Sequence, residues 1–310
     1  MTKRFQEKIA GSRFSLPATA FIVLAIWLVG GISGEWKYLH LAIFTISAYL
    51  MVELNNGNAL IRVYSRMVSC SFLVVTTMAS FMFTQTSVWA MQLCVIAACI
   101  ALLKSYQDKR AQGMVFYAFA LIGVASTQFV QMLFFVPILW LLMAVNLMSF
   151  SLRSMAASVI GLMSPYWFLA GYYAYNDNLA SLADHFTAIA RFAPLFQYDM
   201  TDIRPVVTLA FITILVITGS VHFLRNSYKD KIRTRMIYEM FISLSVATIL
   251  FIILQPQHAV QLAAILVVNA SVLIGHFIAL THTRFTNIAF VAMLVGALAL
   301  TLYNLYGLAY

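Results

Sequence analysis

Charge is scarce in this chain: of 310 residues only 10 are Asp or Glu and 19 are Lys or Arg. A soluble domain carries about 25% charged and about 45–50% apolar residues. Here 9% are charged, 63% are hydrophobic and the mean hydropathy is +0.90, more apolar surface than a water-soluble globule can hide. Cysteine is equally thin. Cys70, Cys94 and Cys99 are odd in number, lie in apolar stretches and show neither C-x-x-C nor Cys/His spacing, so packing is expected of them, and no metal site. No Walker lysine loop, G-x-S-x-G elbow, H-E-x-x-H or G-x-G-x-x-G is present. ATP-driven pumping by this chain alone is thereby excluded, as is soluble-enzyme chemistry, and no cofactor is implied.

What is there is a series of long apolar runs with basic residues confined to the gaps between them. A helix needs about 20 mostly apolar residues to cross the hydrocarbon, with about 17 as a minimum. Runs at 14–32, 38–54, 67–84, 87–103, 154–175, 205–224, 236–254, 259–280 and 286–307 qualify. The stretch 114–148 would be a rod of roughly 52 Å if it were one helix, too long for one crossing. Charge parity divides it: one span there would put Arg225, Lys229, Lys231, Arg233 and Arg235 outside, whereas two, near 114–127 and 128–148 with a turn at 126–128, put them inside.

The expectation is therefore an all-α polytopic bundle of 11 spans, a single membrane domain over 1–310, with a cytoplasmic N-terminus and a periplasmic C-terminus. Sixteen of the 19 basic residues then face the cytoplasm, and only Lys37, Arg191 and Arg204 lie outside. This explains the +9 formal charge without nucleic acid, for which no binding signature exists. The first run, behind Lys3, Arg4, Lys8 and Arg13, is longer than a cleaved signal core of about 7–15 residues and reads as a retained signal anchor. No internal repeat is evident.

The outer segment 176–204 is the most structured gap. Asn176, Asp177 and Asn178 offer capping side chains, and Leu179, Leu182, Ala183, Phe186, Ile189, Ala190 and Ala193 recur at helical spacing until Pro194. An interfacial helix on the outer leaflet is expected. Its polar face would present Ser181, Asp184, His185 and Arg191, followed by Tyr198, Asp199, Asp202 and Arg204. Arg191 or Arg204 could grip a phosphate or carboxylate headgroup while His185 or Asp202 moves a proton. An ordinary solvated lid would carry the same residues.

Two further constellations combine polarity with apolar surroundings. Glu53, Asn55, Asn56 and Asn58 at the inner end of the second span could bind a cation or headgroup, or merely cap the helix with Glu53 paired to Arg62 or Arg66. In the tenth span Asn269 and His276 are seven apart on one face, between His258 and His282, a pattern compatible with proton or ion coupling or with plain interhelical hydrogen bonds. In the seventh span Ala156, Ala157, Ser158 and Gly161 form a small-residue face for close packing, and Pro165 marks a bend where a groove could open. The first outer loop is short, and Glu35 in it reads as an interfacial residue near Lys37.

The segments Ser151-Leu-Arg-Ser-Met-Ala-Ala-Ser-Val-Ile-Gly-Leu-Met-Ser-Pro-Tyr-Trp-Phe168, Leu254-Gln-Pro-Gln-His258 and Thr281-His-Thr-Arg-Phe-Thr-Asn287 resemble an uncharacterised group of multi-pass inner-membrane proteins of Bacteroidota. That resemblance implies a bacterial inner-membrane location and transfers no activity or site residue. In shape alone, a many-span bundle with one outer amphipathic loop is also similar to polymerases and ligases of lipid-linked glycans, and fold does not fix function.

Three functions stay open. One is a transporter-like protein handling or translocating an envelope amphiphile or small solute. Another is a non-catalytic assembly subunit with other envelope membrane proteins as partners. The third is a membrane-embedded transferase acting at the periplasmic face on a lipid-linked substrate. Membrane lipids are partners in each.

Overall fold

A computed structural model describes residues 4–29, 37–194, 196 and 202–309. The described residues contain thirteen α-helices, short 3-10 turns and no strands. In chain order the helices are α1 (Phe5–Ala10), α2 (Ser15–Val29), α3 (Lys37–Asn58), α4 (Met67–Met78), α5 (Thr86–Leu103), α6 (Gln112–Gln128), α7 (Phe135–Val145), α8 (Leu152–Tyr175), α9 (Leu179–Thr187), α10 (Arg204–Asn226), α11 (Ile232–Leu254), α12 (Ala259–Leu280) and α13 (Arg284–Ala309). The expected loop residues 33–36, with Glu35, lie outside the described residues, as do Tyr198 and Asp199.

Six helices are long and apolar enough to cross a membrane: Tyr38–Asn58, Thr86–Leu103, Arg204–Lys229, Ile232–Leu254, Pro256–Leu280 and Arg284–Gly307. The other expected spans fall short for physical reasons. Ser15–Leu28, Met67–Met78 and Val130–Val145 are apolar but shorter. α8 has the length, at 24 residues, but dilutes its apolar content with Ser154, Ser158, Ser164 and several tyrosines. The protein is a membrane-type helical bundle by composition and by the way it hides its residues. Every residue from Leu262 to Ala279 on α12 is buried, while Phe21, Leu28, Ile160, Trp167, Phe168, Ile217, Leu250 and Leu302 point outward. A soluble monomer does not leave so broad an apolar surface open.

The difficult stretch 112–148 doubles back. Gln107 N–H donates to the Leu147 carbonyl at 2.7 Å, and the Ser105 and Ser149 hydroxyls meet at 3.2 Å. The residues before α6 and after α7 therefore sit side by side. The reversal falls at Phe129 and the 3-10 turn Val130–Phe134, slightly beyond the expected 126–128, because α6 keeps its helical hydrogen bonds through Gln128.

Close helix packing rests on glycine. On α8, a methyl at Gly161 would lie 2.4 Å from the Phe116 carbonyl oxygen, and on α6 one at Gly123 would lie 2.6 Å from the Leu162 carbonyl oxygen. The expected small-residue face of α8 thus has a reciprocal partner, as in small-xxx-small pairs. α12 is approached in the same way, by α10 at Gly219 and by α4 at its own Gly275. Pro165 leaves the Gly161 carbonyl without its i+4 donor, and the Ser164 hydroxyl supplies one at 2.8 Å.

The inter-helix contacts sort into two ends. At one end Arg62 meets the Lys229 carbonyl and Asp230, Arg233 meets Asn58, Gln6 meets Ile278 and Thr281, and Ser151 meets the Lys109 carbonyl. At the other, His40 meets Thr86, Gln261 meets Gln85, and Asn304 meets both Thr208 and the Met78 carbonyl. The first is the basic end.

Candidate functional site

The end opposite the basic loops is roofed by the segment that follows α8. α9 is amphipathic and ends in a 3-10 turn, Ala188–Ala190, as the spacing predicts, and none of its residues is fully buried. Three contacts hold it down. His185 Nε2 lies 3.1 Å from the Ser126 carbonyl, in the last turn of α6, and 3.4 Å from the Tyr166 hydroxyl. Tyr166 is also bonded to the Ser126 hydroxyl at 2.8 Å. Gln131 donates to the Ala188 carbonyl at 3.2 Å.

Downstream, the buried Gln255 makes a two-point amide pair with the backbone of Ala193. The Ala193 N–H donates to Oε1, and Nε2 donates to the Ala193 carbonyl, both at 3.0 Å. Gln257 adds a donation to the Arg191 carbonyl at 3.5 Å. These bonds make residues 191–194 a strap across the mouth of an apolar groove of about 720 Å3, lined by Phe134, Ile138, Phe192, Ala247, Leu250 and Leu254 among others. The groove runs between α7 and α11. The side chain of Arg191, next to Phe192, is exposed and has no ion pair among the described residues.

Asp202 and Arg204 stand at a second apolar groove, of about 660 Å3, between α10 and α11. The guanidinium holds the carboxylate at two points, Nε to Oδ1 at 2.7 Å and Nη2 to Oδ2 at 2.9 Å. Hydrogen bonds from Arg204 keep the Asp202 carboxyl below the usual carboxylate range. A third groove, of about 680 Å3, opens beside Pro165 as the sequence suggests, walled by Tyr117, Val124, Phe168 and Tyr172. The bundle centre is closed. Its cavity of about 30 Å3, room for one or two water-sized probes, is lined by Val95, Cys99, Met132, Leu244 and Asn269. Both amide atoms of Asn269 are buried without a hydrogen-bond partner.

The remaining sequence candidates lie elsewhere. Glu53 is exposed and makes no ion pair with Arg62, whose guanidinium turns to Asp230 instead at 3.7 Å. Asn55 is buried and donates to the Ser65 carbonyl at 3.3 Å, which ties off the end of α3. The row His258, Asn269, His276, His282 is broken up: His258 packs on Phe129 and Phe251, Asn269 lines the central cavity, and His282 pairs with Glu7 at 3.6 Å. His276 meets Asp230, at 3.2 Å. Arg191 and the Asp202–Arg204 pair therefore flank apolar grooves at one end, while His276 belongs to the other.

Sequence reasoning passes over Gln255, Asp230, His222 and Tyr238. Asp230 does carry a signal, as the lone acid in the basic stretch Arg225–Arg235. Gln255 carries none beyond its place between an apolar helix and Pro256. Among the described residues no group of three His, Cys, Asp or Glu side chains is arranged to hold a metal. No family model matches the chain, and neither a curated protein nor a solved structure matches it.

Proposed function

We propose that this chain is an 11-span protein of the bacterial inner membrane, with its basic loops in the cytoplasm, that handles an anionic amphiphile at the periplasmic leaflet. The observation that carries the reading is the groove beneath the 191–194 strap. Its walls are apolar side chains suited to an acyl or prenyl tail, and Arg191 stands at its mouth as an exposed cation. Arg204 is neutralised by Asp202, so Arg191 is the charge left to attract a phosphate or carboxylate. The two-ended sorting of contacts supports the 11-span path, because each successive run ends opposite its predecessor. The closed centre favours a tail held against the outside of the bundle over a solute passing through its middle.

The transferase alternative draws less support. His185 is engaged by the Ser126 carbonyl and Tyr166, and Asp202 by Arg204, so both proposed proton carriers act as anchors.

Native mass spectrometry of protein extracted with its lipids tests the proposal. Wild type should retain anionic amphiphile. Leu250→Trp, which fills the groove, should lose it, and Arg191→Ala should keep the tail but lose the preference for anionic over zwitterionic headgroups. Equal retention and equal preference in all three proteins would refute it.

A further inference from the structure

The basic end contains a buried ionisable cluster with no part in the grooves. Asp230 lies in the short connection between α10 and α11, and its side chain is only 3% exposed. Its Oδ2 sits 3.2 Å from Nε2 of His276 on α12, whose side chain is 1% exposed. Its Oδ1 is 3.7 Å from the exposed Arg62 guanidinium of the α3–α4 connection. The His276 ring is enclosed by Tyr238 of α11 at 4.7 Å, Phe223 of α10 at 5.3 Å and His222 of α10 at 5.7 Å between ring centres.

The other charged groups near this ring are few. Lys229, beside Asp230, turns its ammonium to Asn226 and the Tyr228 ring, and its carbonyl accepts from Arg62. Glu7 of α1 pairs with His282 just past the end of α12. Arg233 of α11 is held by Asn58 and the Tyr106 ring.

Burying a carboxylate costs several kcal/mol unless its lone pairs are satisfied. A merely structural latch would satisfy them. Here Oδ1 of Asp230 is buried without a hydrogen bond, and so are Nδ1 of His276, Nδ1 of His222 and the Tyr238 hydroxyl. The open valences all belong to groups that take or give a proton, and the presence of Arg62 argues against a bound metal cation.

We propose that Asp230, His276 and Arg62 form a binding site for a single proton from the cytoplasmic side. In the empty form neutral His276 donates Nε2–H to the Asp230 carboxylate, and Arg62 is the counter-ion. A proton taken from solvent onto Nδ1 of His276 makes an imidazolium that replaces Arg62 as the counter-ion, and the cluster gains one positive charge. His222 and Tyr238 limit the site to one proton: a second imidazolium beside the first would face repulsion with a single carboxylate between them.

The site is coupled to the connection that carries Asp230. With Asp230 docked, the imidazolium has a carboxylate at hydrogen-bond distance; with the connection undocked, it has none. The docked form therefore binds the proton more tightly, and by linkage docking strengthens as pH falls and weakens as it rises. The inference does not depend on the amphiphile reading.

Hydrogen–deuterium exchange of amides 227–231, on the full chain in nanodiscs and corrected for intrinsic exchange, tests it. Between pH 8 and pH 5 wild type should gain about tenfold in protection, the lower bound for an opposite charge at this range. Asp230→Asn and His276→Gln keep a polar partner but lose the titration, and should show no pH dependence. Should either fail to fold, Arg62→Gln, at an exposed position, decides. Losing the empty-state counter-ion should lower protection at pH 8 and leave it unchanged at pH 5. Protection in wild type that is flat or rises with pH overturns the proposal, as does a dependence that survives Asp230→Asn, or an equal effect of Arg62→Gln at both pH values.

Discussion

Gly161 and Gly171 lie on the same helix, and the same substitution at each should have opposite effects. An alanine methyl at 161 would meet the Phe116 carbonyl oxygen at 2.4 Å and the backbone of Ala120 at 3.2 Å, while one at 171 meets nothing within 4 Å. Ordinary contact begins near 3.4 Å, and the obstruction is backbone, so α6 and α8 must part by about 1 Å. Overpacking of this kind costs about 1–3 kcal/mol. Replacing a mid-helix glycine by alanine returns about 0.5–1 kcal/mol, which Gly171→Ala collects without the clash. The two variants should therefore differ by about 2 kcal/mol, near thirtyfold in the unfolding equilibrium. Reversible denaturation in mixed micelles, followed by helical circular dichroism, measures this directly. Gly161→Ala should unfold earlier than wild type and Gly171→Ala at or beyond it. Equal midpoints would refute the close α6–α8 approach on which the groove beside Pro165 depends.

Two other outcomes follow from the geometry. The Asp202 carboxyl is held below the usual carboxylate range by Arg204, so the pair's stabilisation is present above about pH 4 and fades as pH falls through the lowered value. Asp202→Asn should lower the thermal midpoint slightly at pH 7, because the pair is partly exposed, and the difference should vanish in acid; a difference that grows in acid would contradict the pairing. Asn269→Leu replaces a buried amide without a hydrogen bond by an apolar side chain of similar size, and should leave stability unchanged or raise it while amphiphile retention is unaffected. A loss of retention in that variant would give Asn269 the coupling role that its spacing to His276 suggests.

Hydropathy and charge parity made much of the bundle legible in the sequence. The reversal within 112–148 is readable because a rod of that length cannot cross once, and the basic loops gather at one end as the parity demands. Span lengths are less legible. α4 stops after 12 residues and gives way to a 3-10 turn although its apolar run continues, because it is buried on nearly every side and does not need to match a bilayer. At the sites, one-dimensional proximity misled in specific ways. Glu53 lies close to Arg62 in sequence, yet Arg62 crosses to Asp230, 168 positions on, which offers a buried carboxylate. Asn269 and His276 share a helix but address different partners, since α12 is enclosed on all sides and each turn meets another neighbour. Gln255 looks like a linker residue. Its role emerges only when the 191–194 strap is laid beside it and its amide matches a backbone N–H and carbonyl at once.

The central claim is that the groove between α7 and α11 holds the tail of an anionic amphiphile. A density map of the protein in nanodiscs that contain anionic lipid measures this most directly. Elongated density is predicted beneath Ala193, along Phe134, Ile138 and Leu250, with a headgroup at Arg191. A groove closed by its own side chains, or occupied by another protein's helix, would contradict the account.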